Sequence, residues 1–334
     1  MTPSIFTAEG ARHTRILGMG SYRPSRVVPN SEIVDAIQSS DEWIRTRSGI
    51  IERRFAEDHE TVQMMSVESS RKALTAAGID PAQIDCVIVA TVSHLMQTPA
   101  VATLISDELG STPAAAFDIS AACAGFCHGV ALASDMVRSG SAKYVLAIGV
   151  ERLSDITDPT DRGTAFIFAD GAGAAVIGPS KTEGIGPVVW GADGSKYDFI
   201  RQKQSWSDVL KMEKASMPHL RMDGNPVFRW ASFEMAKIAT EALDRAGVTV
   251  DDLDVFVPHQ ANMRIIDAMA RTLKLPERVV IARDVAYQGN TSAASVPLAA
   301  DALMRSGEAK SGDLALFIAF GAGLSYAAQV VTLP

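Results

Sequence analysis

Short runs of consecutive apolar residues alternate along the chain with longer segments in which apolar residues recur every three to four positions. The runs are typical of buried strands and the periodic segments of amphipathic helices. The predicted strands are 15–19, 86–92, 114–119, 144–150, 172–178, 186–191, 253–257, 279–281, 314–320 and 325–332, and the predicted helices are 61–77, 124–139, 228–246, 263–273 and 295–306. Such alternation predicts an α/β fold with mostly parallel sheets and helices on their faces. Residues 191–222 lack a clear period and predict an irregular surface segment.

The second half of the chain repeats parts of the first. The sequence Ala-Leu-Thr-Ala-Ala-Gly-Ile at 73–79 returns as Ala-Leu-Asp-Arg-Ala-Gly-Val at 242–248, an offset of 169, and Arg-Ser-Gly returns from 138 to 305, an offset of 167. The chain also exceeds the roughly 250–300 residues at which one core stops growing. We therefore expect two similar halves, 1–180 and 181–334, which pack about a pseudo-twofold axis and assemble chemistry where they meet. With the offset of 167, Cys123 corresponds to Asn290.

Composition limits the partners and the compartment. The net charge of −8 disfavours general nucleic-acid binding, which requires a basic surface. Residues 1–15 have no apolar segment typical of a signal peptide, and no apolar run reaches the roughly 18–20 residues of a membrane span. The longest apolar runs, 145–150 and 314–324, indicate buried strands. Three cysteines without an export signal indicate reduced thiols and a cytoplasmic protein.

Cys123 is the candidate nucleophile. It lies between the predicted strand 114–119 and the predicted helix 124–139, among small residues that permit a tight turn and close approach of a substrate. The positive end of the helix dipole, about half a unit charge, is expected to favour the thiolate. A thiolate attacks carbonyl carbon far better than a thiol does.

The two other cysteines are expected to be buried small residues, since Cys86 lies inside an apolar strand and Cys127 one turn into the helix. Cys123, Cys127 and His128 also leave open a non-catalytic haem or metal carrier, although their spacing is one residue longer than the haem-attachment motif. A zinc site would need a further pair of ligands at suitable spacing, and the remaining histidines are scattered singly.

Two further polar residues follow predicted strands or precede predicted helices in the second half. His259 comes directly after the strand 253–257, at the strand end where parallel sheets place their sites, but it could also be a structural histidine. Asn290 precedes a helix of small residues, where it could start the helix or donate to a developing oxyanion. Asn262 fits a helix N-cap.

The glycine-rich turn at 320–324 joins two strands and is no dinucleotide fingerprint, because no helix follows it.

Five motifs together carry a family resemblance that spans residues 14–334. They are 41–50 (Asp-Glu-Trp-Ile-Arg-Thr-Arg-Ser-Gly-Ile), 121–126 (Ala-Ala-Cys-Ala-Gly-Phe), 161–163 (Asp-Arg-Gly), 258–262 (Pro-His-Gln-Ala-Asn) and 289–295 (Gly-Asn-Thr-Ser-Ala-Ala-Ser). The chain resembles the β-ketoacyl-acyl carrier protein (ACP) synthase III enzymes of the thiolase superfamily. The resemblance implies a thiolase-like fold, in which duplicated halves form a layered αβαβα sandwich with mixed, mostly parallel sheets.

The resemblance also implies a cofactor-free decarboxylative condensation. Cys123 would accept an acyl group from acyl-CoA, and His259 and Asn290 would stabilise the enolate formed when malonyl-ACP loses carbon dioxide. The carbanion would then attack the acyl-Cys123 thioester and release 3-oxoacyl-ACP, which initiates fatty acid synthesis. Phe320 matches a phenylalanine that shields the cysteine in the family. A degradative thiolase is disfavoured, because such enzymes need a second cysteine near the C-terminus and all three cysteines here precede residue 128.

Binding surfaces follow from the same resemblance. The residues implied to bind CoA are Ser39, Trp43, Arg47, Arg162, Gly224, Phe228 and Asn262. Trp43 and Arg162 would sandwich the adenine, a role that suits a flat ring and a flat cation. Arg229, Arg264 and Arg271 would dock the acidic carrier protein, although they could equally belong to ordinary solvated helix faces.

One position departs from the acetyl-selective members of the family. Those members carry a phenylalanine at the floor of the acyl pocket, contributed by the partner subunit of a homodimer, and the matching residue here is Thr98. The smaller side chain predicts a preference for branched or longer primers such as isobutyryl-CoA, since each methylene contributes about 1–3 kcal/mol to discrimination. A priming ketosynthase of a polyketide pathway would use the same residues and stays open as an alternative.

Overall fold

The structure is a computed structural model that describes residues 8–334; residues 1–7, part of the segment predicted to lack a signal peptide, lie outside the described residues. The strands are β1 (His13–Tyr22), β2 (Arg26–Pro29), β3 (Glu52–Phe55), β4 (Cys86–Ala90), β5 (Ala115–Ile119), β6 (Val145–Arg152), β7 (Asp170–Ser180), β8 (Val189–Ala192), β9 (Ile200–Gln202), β10 (Leu220–Met222), β11 (Val255–Pro258), β12 (Val280–Ile281), β13 (Leu314–Gly321) and β14 (Ser325–Thr332). The helices are α1 (Asp41–Ser48), α2 (Val62–Ala77), α3 (Val101–Leu109), α4 (Gly125–Ser139), α5 (Trp206–Val209), α6 (Gly224–Ala246), α7 (Met263–Leu273), α8 (Val285–Gln288) and α9 (Ser295–Ser306).

Two five-stranded sheets within residues 8–334 share one strand order. The first runs β1-β7-β6-β4-β5, and the second, read in the same direction, runs β8-β14-β13-β11-β12. In each sheet the three strands at one side pair in parallel, while the remaining two pairings are antiparallel. The sheets are therefore mixed, and the parallel part of each carries its strand ends towards the same edge.

The helices form layers outside and between the sheets. Helices α2 and α3 pack on one face of the first sheet, and α6 packs with α7 against the outer face of the second sheet. Helices α4 and α9 contact strands of both sheets and form the central layer. This arrangement is the predicted αβαβα sandwich. No helix within the described range is long and apolar enough to cross a membrane.

The central strands explain the longest apolar runs of the sequence. In β6 and β13 nearly every residue is buried, because helices cover both faces of each sheet. Two glycines let turns of the central layer approach these strands closely. A Cβ atom on Gly149 would lie 2.3 Å from the Ala293 carbonyl oxygen, and one on Gly321 would lie 2.5 Å from the Cys123 amide nitrogen. Larger residues at these two positions would displace the turns that precede α4 and α9.

Several elements differ from the prediction. Helices α1 and α3 and the hairpin of β2 and β3 were not predicted, and residues 191–222 contain the short β9–β10 hairpin and α5 rather than only irregular backbone. Helix α1 has few apolar residues, so its periodicity is weak; it is delimited by Ser40, whose side chain accepts from the Trp43 amide, and by Gly49 in the left-handed conformation. The short strands of the β2–β3 and β9–β10 pairs are each separated from their partner by an intervening segment of chain, so a local pattern does not predict them.

The two halves are not aligned by one offset. Ala122 and Ser292 both have positive φ, 45° and 48°, and both open a short 3₁₀ turn that leads into a helix, α4 and α9 respectively. The offset between them is 170, because α4 has 15 residues and α9 has 12, whereas the ends of the two helices keep the offset of 167. The predicted equivalence of Cys123 and Asn290 is therefore wrong: the counterpart of Cys123 in the second turn is Ala293.

Candidate active site

Cys123 lies in the 3₁₀ turn Ala122–Ala124, which follows β5 and leads into α4. Its side chain lines a cavity of about 610 Å³, although only 9% of the residue is exposed. Cys86 and Cys127 are completely buried, as predicted. Of the three thiols, only that of Cys123 borders this cavity.

The electrostatic environment of Cys123 differs from the sequence prediction. Burial raises the pKa of the Cys123 thiol to about 12, outweighing a hydrogen bond with the Ser292 side chain, and the nearby Glu151 carboxylate raises this pKa further. Burial thus opposes the effect that the start of the helix was predicted to have, because a buried anion loses its hydration. The sulfur needs a proton acceptor when it attacks.

His259 follows β11, where its backbone N–H donates to the Ile318 carbonyl at 2.7 Å. Its Nδ1 lies 2.7 Å from Oγ of Ser295, and this hydroxyl oxygen accepts from the Gln260 amide at 3.3 Å. We assign the Ser295 hydroxyl as the donor to Nδ1, because its oxygen already accepts from the Gln260 amide; this assignment leaves the ring proton on Nε2. Burial lowers the pKa of His259 to about 3, so the imidazole is neutral and presents Nε2–H as a donor.

Asn290 is held on both sides by the first half of the chain. Its backbone N–H donates to the Ile167 carbonyl, and its own carbonyl accepts from the Ala169 amide, each at 2.9 Å. Its side-chain Oδ1 accepts from the Ser292 amide at 2.8 Å. The side chain therefore holds the start of the 292–294 turn with its oxygen and leaves the two Nδ2 hydrogens to donate elsewhere.

The structure brings these side chains into one neighbourhood where the halves meet. The turn of Cys123 packs against the turn of Ser292 and against β13. The Ser292 amide donates to Oδ1 of Asn290, and the Ser292 side chain lowers the pKa of the Cys123 thiol. Phe320 precedes Gly321, which touches the Cys123 amide, and its ring lies edge-on to His259 with centroids 5.5 Å apart.

Sequence reasoning missed Glu151 and Ser292. Glu151 ends the apolar run of β6 and is completely buried; its Oε1 accepts from Oγ of Ser292 at 3.1 Å. Burial raises the pKa of Glu151 to about 7. An acidic residue at the carboxyl end of a buried parallel strand is a signal that could have identified it.

The residues implied to bind CoA form a second group. The Arg162 guanidinium lies 4.8 Å from the centroid of the Trp43 ring and that of Arg47 lies 5.5 Å from it. Asn262 is the N-cap of α7, accepting from the Arg264 amide, and it also donates to the Arg47 carbonyl at 2.9 Å. Ser39 immediately precedes the N-cap of α1, and Gly224 begins α6.

The three candidate docking arginines are exposed and form no ion pair with any of residues 8–334. Arg264 and Arg271 lie on α7, whose buried residues are Ile265, Ile266, Met269 and Leu273. Arg264 stacks over the Phe228 ring at 4.9 Å, so it also borders the start of α6. Arg229 follows Phe228 on that helix.

The cavity and the CoA group are separate in this chain. The cavity lining includes Cys123, Ser292 and several residues that sequence reasoning did not identify, such as Met96, Arg201 and Trp206. Among the described residues, the cavity lining does not include His259, Asn290 or Phe320. It also does not include Trp43 or Arg162. Thr98 is exposed and does not line this chain's own cavity either.

The alternative of a non-catalytic haem or metal carrier would need a set of metal ligands among residues 8–334. No group of three His, Cys, Asp or Glu side chains among residues 8–334 is placed to hold a metal ion. Nδ1 of His128 is 2.9 Å from the Ala124 carbonyl oxygen, and its ring stacks on Trp190 with centroids 5.6 Å apart.

Comparisons with known proteins agree with this geometry. Residues 117–194 match the family profile of 3-oxoacyl-[acyl-carrier-protein (ACP)] synthase III, and residues 243–333 match the profile of its C-terminal part. The chain is 61% identical to the β-ketoacyl-[acyl-carrier-protein] synthase III of Streptomyces glaucescens over 330 residues, 99% of each protein.

Solved structures also match the chain over nearly its full length. The priming β-ketosynthase of the R1128 polyketide biosynthetic pathway is 51% identical with a TM-score of 0.97, covering 99% of both chains. The 3-oxoacyl-[acyl-carrier-protein] synthase III of Aquifex aeolicus VF5 is 36% identical with a TM-score of 0.88, covering 96% of this chain and 99% of the other. The protein is thus a condensing enzyme of the acyltransferase type with the thiolase-like fold, and it belongs to the β-ketoacyl-[acyl-carrier-protein] synthase III family.

Proposed function

We propose that the enzyme condenses an acyl group from acyl-CoA with malonyl-ACP to give 3-oxoacyl-ACP. The observation that carries the proposal is the hydrogen bonding of His259 and Asn290. Ser295 occupies Nδ1 of the histidine and the Ser292 amide occupies Oδ1 of the asparagine, so both side chains keep only donors for a substrate. Two fixed donors beside a cysteine turn suit a reaction in which negative charge develops on one oxygen.

In the first step, Sγ of Cys123 attacks the thioester carbonyl of acyl-CoA. A new C–S bond forms, the bond to the CoA sulfur breaks, and the acyl group is left on the cysteine. The thiol must lose its proton as it attacks, because burial holds its pKa at about 12. The small residues of the turn, Ala122 and Ala124, leave room for the acyl carbonyl.

In the second step, malonyl-ACP loses carbon dioxide. The C–C bond to the carboxylate breaks, and its electron pair forms an enolate whose oxygen accepts from Nε2 of His259 and Nδ2 of Asn290. Since the imidazole is neutral and already carries a proton on Nε2, it is a poor base, which favours decarboxylation over direct proton abstraction. The carbanion then attacks the acyl carbon, and the Cys123 sulfur leaves.

The CoA moiety is proposed to bind at Trp43, Arg47 and Arg162, with its adenine between the flat faces of Trp43 and Arg162. Support comes from the pairing of the two flat groups, since the guanidinium lies 4.8 Å from the indole centroid; an adenine would enter by separating them. Ser39, Gly224, Phe228 and Asn262 would complete this surface.

Carrier docking is proposed at Arg229, Arg264 and Arg271. Three exposed guanidinium groups that lack an intramolecular acidic partner among the described residues can attract an acidic carrier, even though the enzyme as a whole is acidic. Because Arg264 stacks on Phe228, a carrier bound there would also lie next to the proposed CoA surface, through which its prosthetic arm could enter.

The enzyme is proposed to be a homodimer that works in the cytoplasm without a cofactor. Strand β5 is the edge of the first sheet, and Phe117 on it and Leu95 and Met96 beside the cavity are exposed apolar residues. A second copy paired along β5 would cover these residues and bring its Thr98 towards the open rim of the cavity. A short polar side chain there supports a branched primer.

Pathway assignment has two candidates. Initiation of fatty acid synthesis is favoured by the 61% identity to a β-ketoacyl-[acyl-carrier-protein] synthase III. Priming of a polyketide synthase is favoured by the TM-score of 0.97 to a priming ketosynthase. The ratio of kcat/KM values for malonyl groups on the two kinds of carrier protein discriminates between them.

The decisive experiment is incubation with radiolabelled isobutyryl-CoA followed by peptide mapping. Label is expected on the peptide that contains Cys123, and the C123A variant should lose it, while C127A, which removes the buried neighbour, should keep it. Label on another residue, or none, rejects the mechanism. Competition between isobutyryl-CoA and acetyl-CoA tests the primer, and a clear acetyl preference rejects that part.

A further inference from the structure

A buried carboxylate is hydrogen-bonded to a hydroxyl group on the turn that packs against Cys123, and the reaction described above does not use it. Oε1 of Glu151 accepts from Oγ of Ser292 at 3.1 Å. The turn of Ser292 packs on the turn of Cys123, both residues line the same cavity, and the Ser292 side chain lowers the pKa of the Cys123 thiol. The three residues come from β6, from the turn before α9 and from the turn before α4. The chain of contacts therefore crosses the junction of the two halves.

The other oxygen of Glu151 is fully engaged. Oε2 accepts from Oγ of Ser93 at 2.6 Å, from the Val92 amide at 3.1 Å and from Oγ1 of Thr91 at 3.2 Å. The neighbouring Arg152 pairs at 3.1 Å with Asp155, three residues further along the chain, so its charge is balanced locally. Of the two carboxylate oxygens, Oε1 is the one that faces the cysteine.

We propose that Ser292 and Glu151 form a proton relay that deprotonates Cys123 as it attacks acyl-CoA, an inference that rests on the function proposed above. The S–H proton of Cys123 passes to Oγ of Ser292 while the Ser292 hydroxyl proton passes to Oε1 of Glu151. Negative charge moves from the carboxylate through the attacking sulfur to the thioester carbonyl oxygen as the new C–S bond forms. The CoA sulfur leaves as a thiolate and takes the proton back from Glu151 through the same hydroxyl, so protons and charge balance over the step.

The alternative base is His259, and its environment does not suit that role. Nδ1 is occupied by the Ser295 hydroxyl, Nε2 carries the proton, and burial lowers the pKa of the imidazole to about 3. Burial instead raises the pKa of Glu151 to about 7, close to the range in which a general base is most effective. Because transfer and attack occur together, no free thiolate has to accumulate.

The backbone fixes the middle of the relay. Ser292 has a φ of 48°, a conformation that is uncommon for residues other than glycine, and its amide is held by Oδ1 of Asn290. The matching turn contains Ala122 with a φ of 45°. An alanine at position 292 is therefore expected to keep the turn and the fold.

The test measures alkylation of Cys123 by iodoacetamide from pH 5 to 9, with peptide mapping, in the full-length enzyme. In the wild type the rate is expected to rise as Glu151 ionises near pH 7. Both E151Q and S292A should lose the part of the rise that follows Glu151 ionisation near pH 7, keep only the steady increase of an unassisted thiol, and react at least about tenfold more slowly at pH 7.5. Their single-turnover acylation by acyl-CoA should fall about 10²-fold, as for loss of one general base. T91V removes a donor from Oε2 only, so it should keep the rise and move it to higher pH.

The outcomes separate the relay from the proposed function. If E151Q and S292A match the wild-type profile, or if S292A keeps the rise and only the charge of Glu151 matters, the relay is rejected. S292A decides the matter even if E151Q unfolds, and thermal unfolding of each variant identifies that case. Absence of acyl label on Cys123 in the wild type rejects the proposed function instead, whereas label on Cys123 with unchanged profiles rejects the relay alone.

Discussion

Oγ of Ser295 lies 2.7 Å from Nδ1 of His259 and determines which nitrogen of the imidazole carries the proton. Since the Gln260 amide donates to the same oxygen, the hydroxyl proton is directed at the ring. S295A should release this constraint and allow the ring to place its proton on either nitrogen. Decarboxylation of malonyl-ACP is expected to slow roughly 10- to 100-fold, less than outright loss of a donor. Carbon dioxide release measures it.

The matched control is S306A at the other end of α9, where the Ser306 hydroxyl bonds the Leu303 carbonyl and the Glu308 carboxylate. It should leave carbon dioxide release unchanged. Unaltered decarboxylation in S295A, with an intact fold, would mean that Ser295 does not orient the ring.

The two donors should affect only half of the reaction. H259A and N290A remove hydrogen bonds to the enolate oxygen but not the sulfur, so each is expected to slow decarboxylation about 10²–10³-fold. In H259A, transfer of the acyl group to Cys123 should stay within a few fold of the wild-type rate, whereas N290A also frees the Ser292 amide and therefore tests decarboxylation only. Burst labelling and carbon dioxide release distinguish the steps, and C123A provides the opposite pattern. Equal losses in both steps would contradict the division of roles.

The sequence predicted the layers and the local chemistry better than the contacts between halves. The apolar face of α7 and the buried strands β6 and β13 follow from short-range patterns, which is why they were predicted correctly. Helix α1 was missed because its apolar positions are few. The same limitation applies to Glu151 and Ser292, which are 141 positions apart and are joined only by packing of the two turns.

Two features of the structure, one electrostatic and one of register, differ from what the sequence suggested. Both have physical causes that cannot be seen in the sequence. The thiol pKa of Cys123 rises because the folded turn is buried, and the degree of burial depends on both halves. The equivalence of Cys123 with Asn290 failed because α9 is three residues shorter than α4, which changes the offset at the turns but not at the helix ends. The family resemblance assigned the roles of Cys123, His259 and Asn290, and the structure packs the turns and the strand end that carry them near one another.

The stack of Arg162 on Trp43 predicts a loss of binding that depends on adenine. W43A and R162A should each raise the KM for acyl-CoA roughly 2- to 30-fold, the range for a cation–π contact of about 0.5–2 kcal/mol. For an acyl-pantetheine that lacks the nucleotide, the variants and the wild type should have similar KM values. W190A, which removes an exposed tryptophan on β8, is the control. A loss that persists with the truncated substrate would place the adenine elsewhere.

If the carrier protein docks at these arginines, substitutions there should change the KM for malonyl-ACP and leave the KM for acyl-CoA nearly unchanged. R264A should raise the KM for malonyl-ACP about 2- to 5-fold, as for an exposed charge contact, and weaken its dependence on salt, with little change for acyl-CoA. R264K keeps the charge but loses the stack on Phe228, so it should restore the salt dependence more fully than it restores the KM for malonyl-ACP. R245A, near the far end of α6, removes an arginine already paired with Glu241 and should change neither KM. Equal effects of R264A and R245A would reject this surface.

The buried His259 also predicts how stability depends on pH. Its folded pKa of about 3 lies below the ordinary value of 6.5, so the unfolded chain binds more protons between these two pH values. The stability that neutral His259 contributes is therefore present above pH 6.5 and is lost as the pH falls towards 3, by up to about 1.4 kcal/mol per pH unit. In H259Q the free energy of unfolding should fall less steeply from pH 6.5 to 4.5 than in the wild type, measured by urea denaturation. H59Q, at an exposed histidine, should retain the wild-type slope; a parallel slope in H259Q would show that His259 is not held neutral.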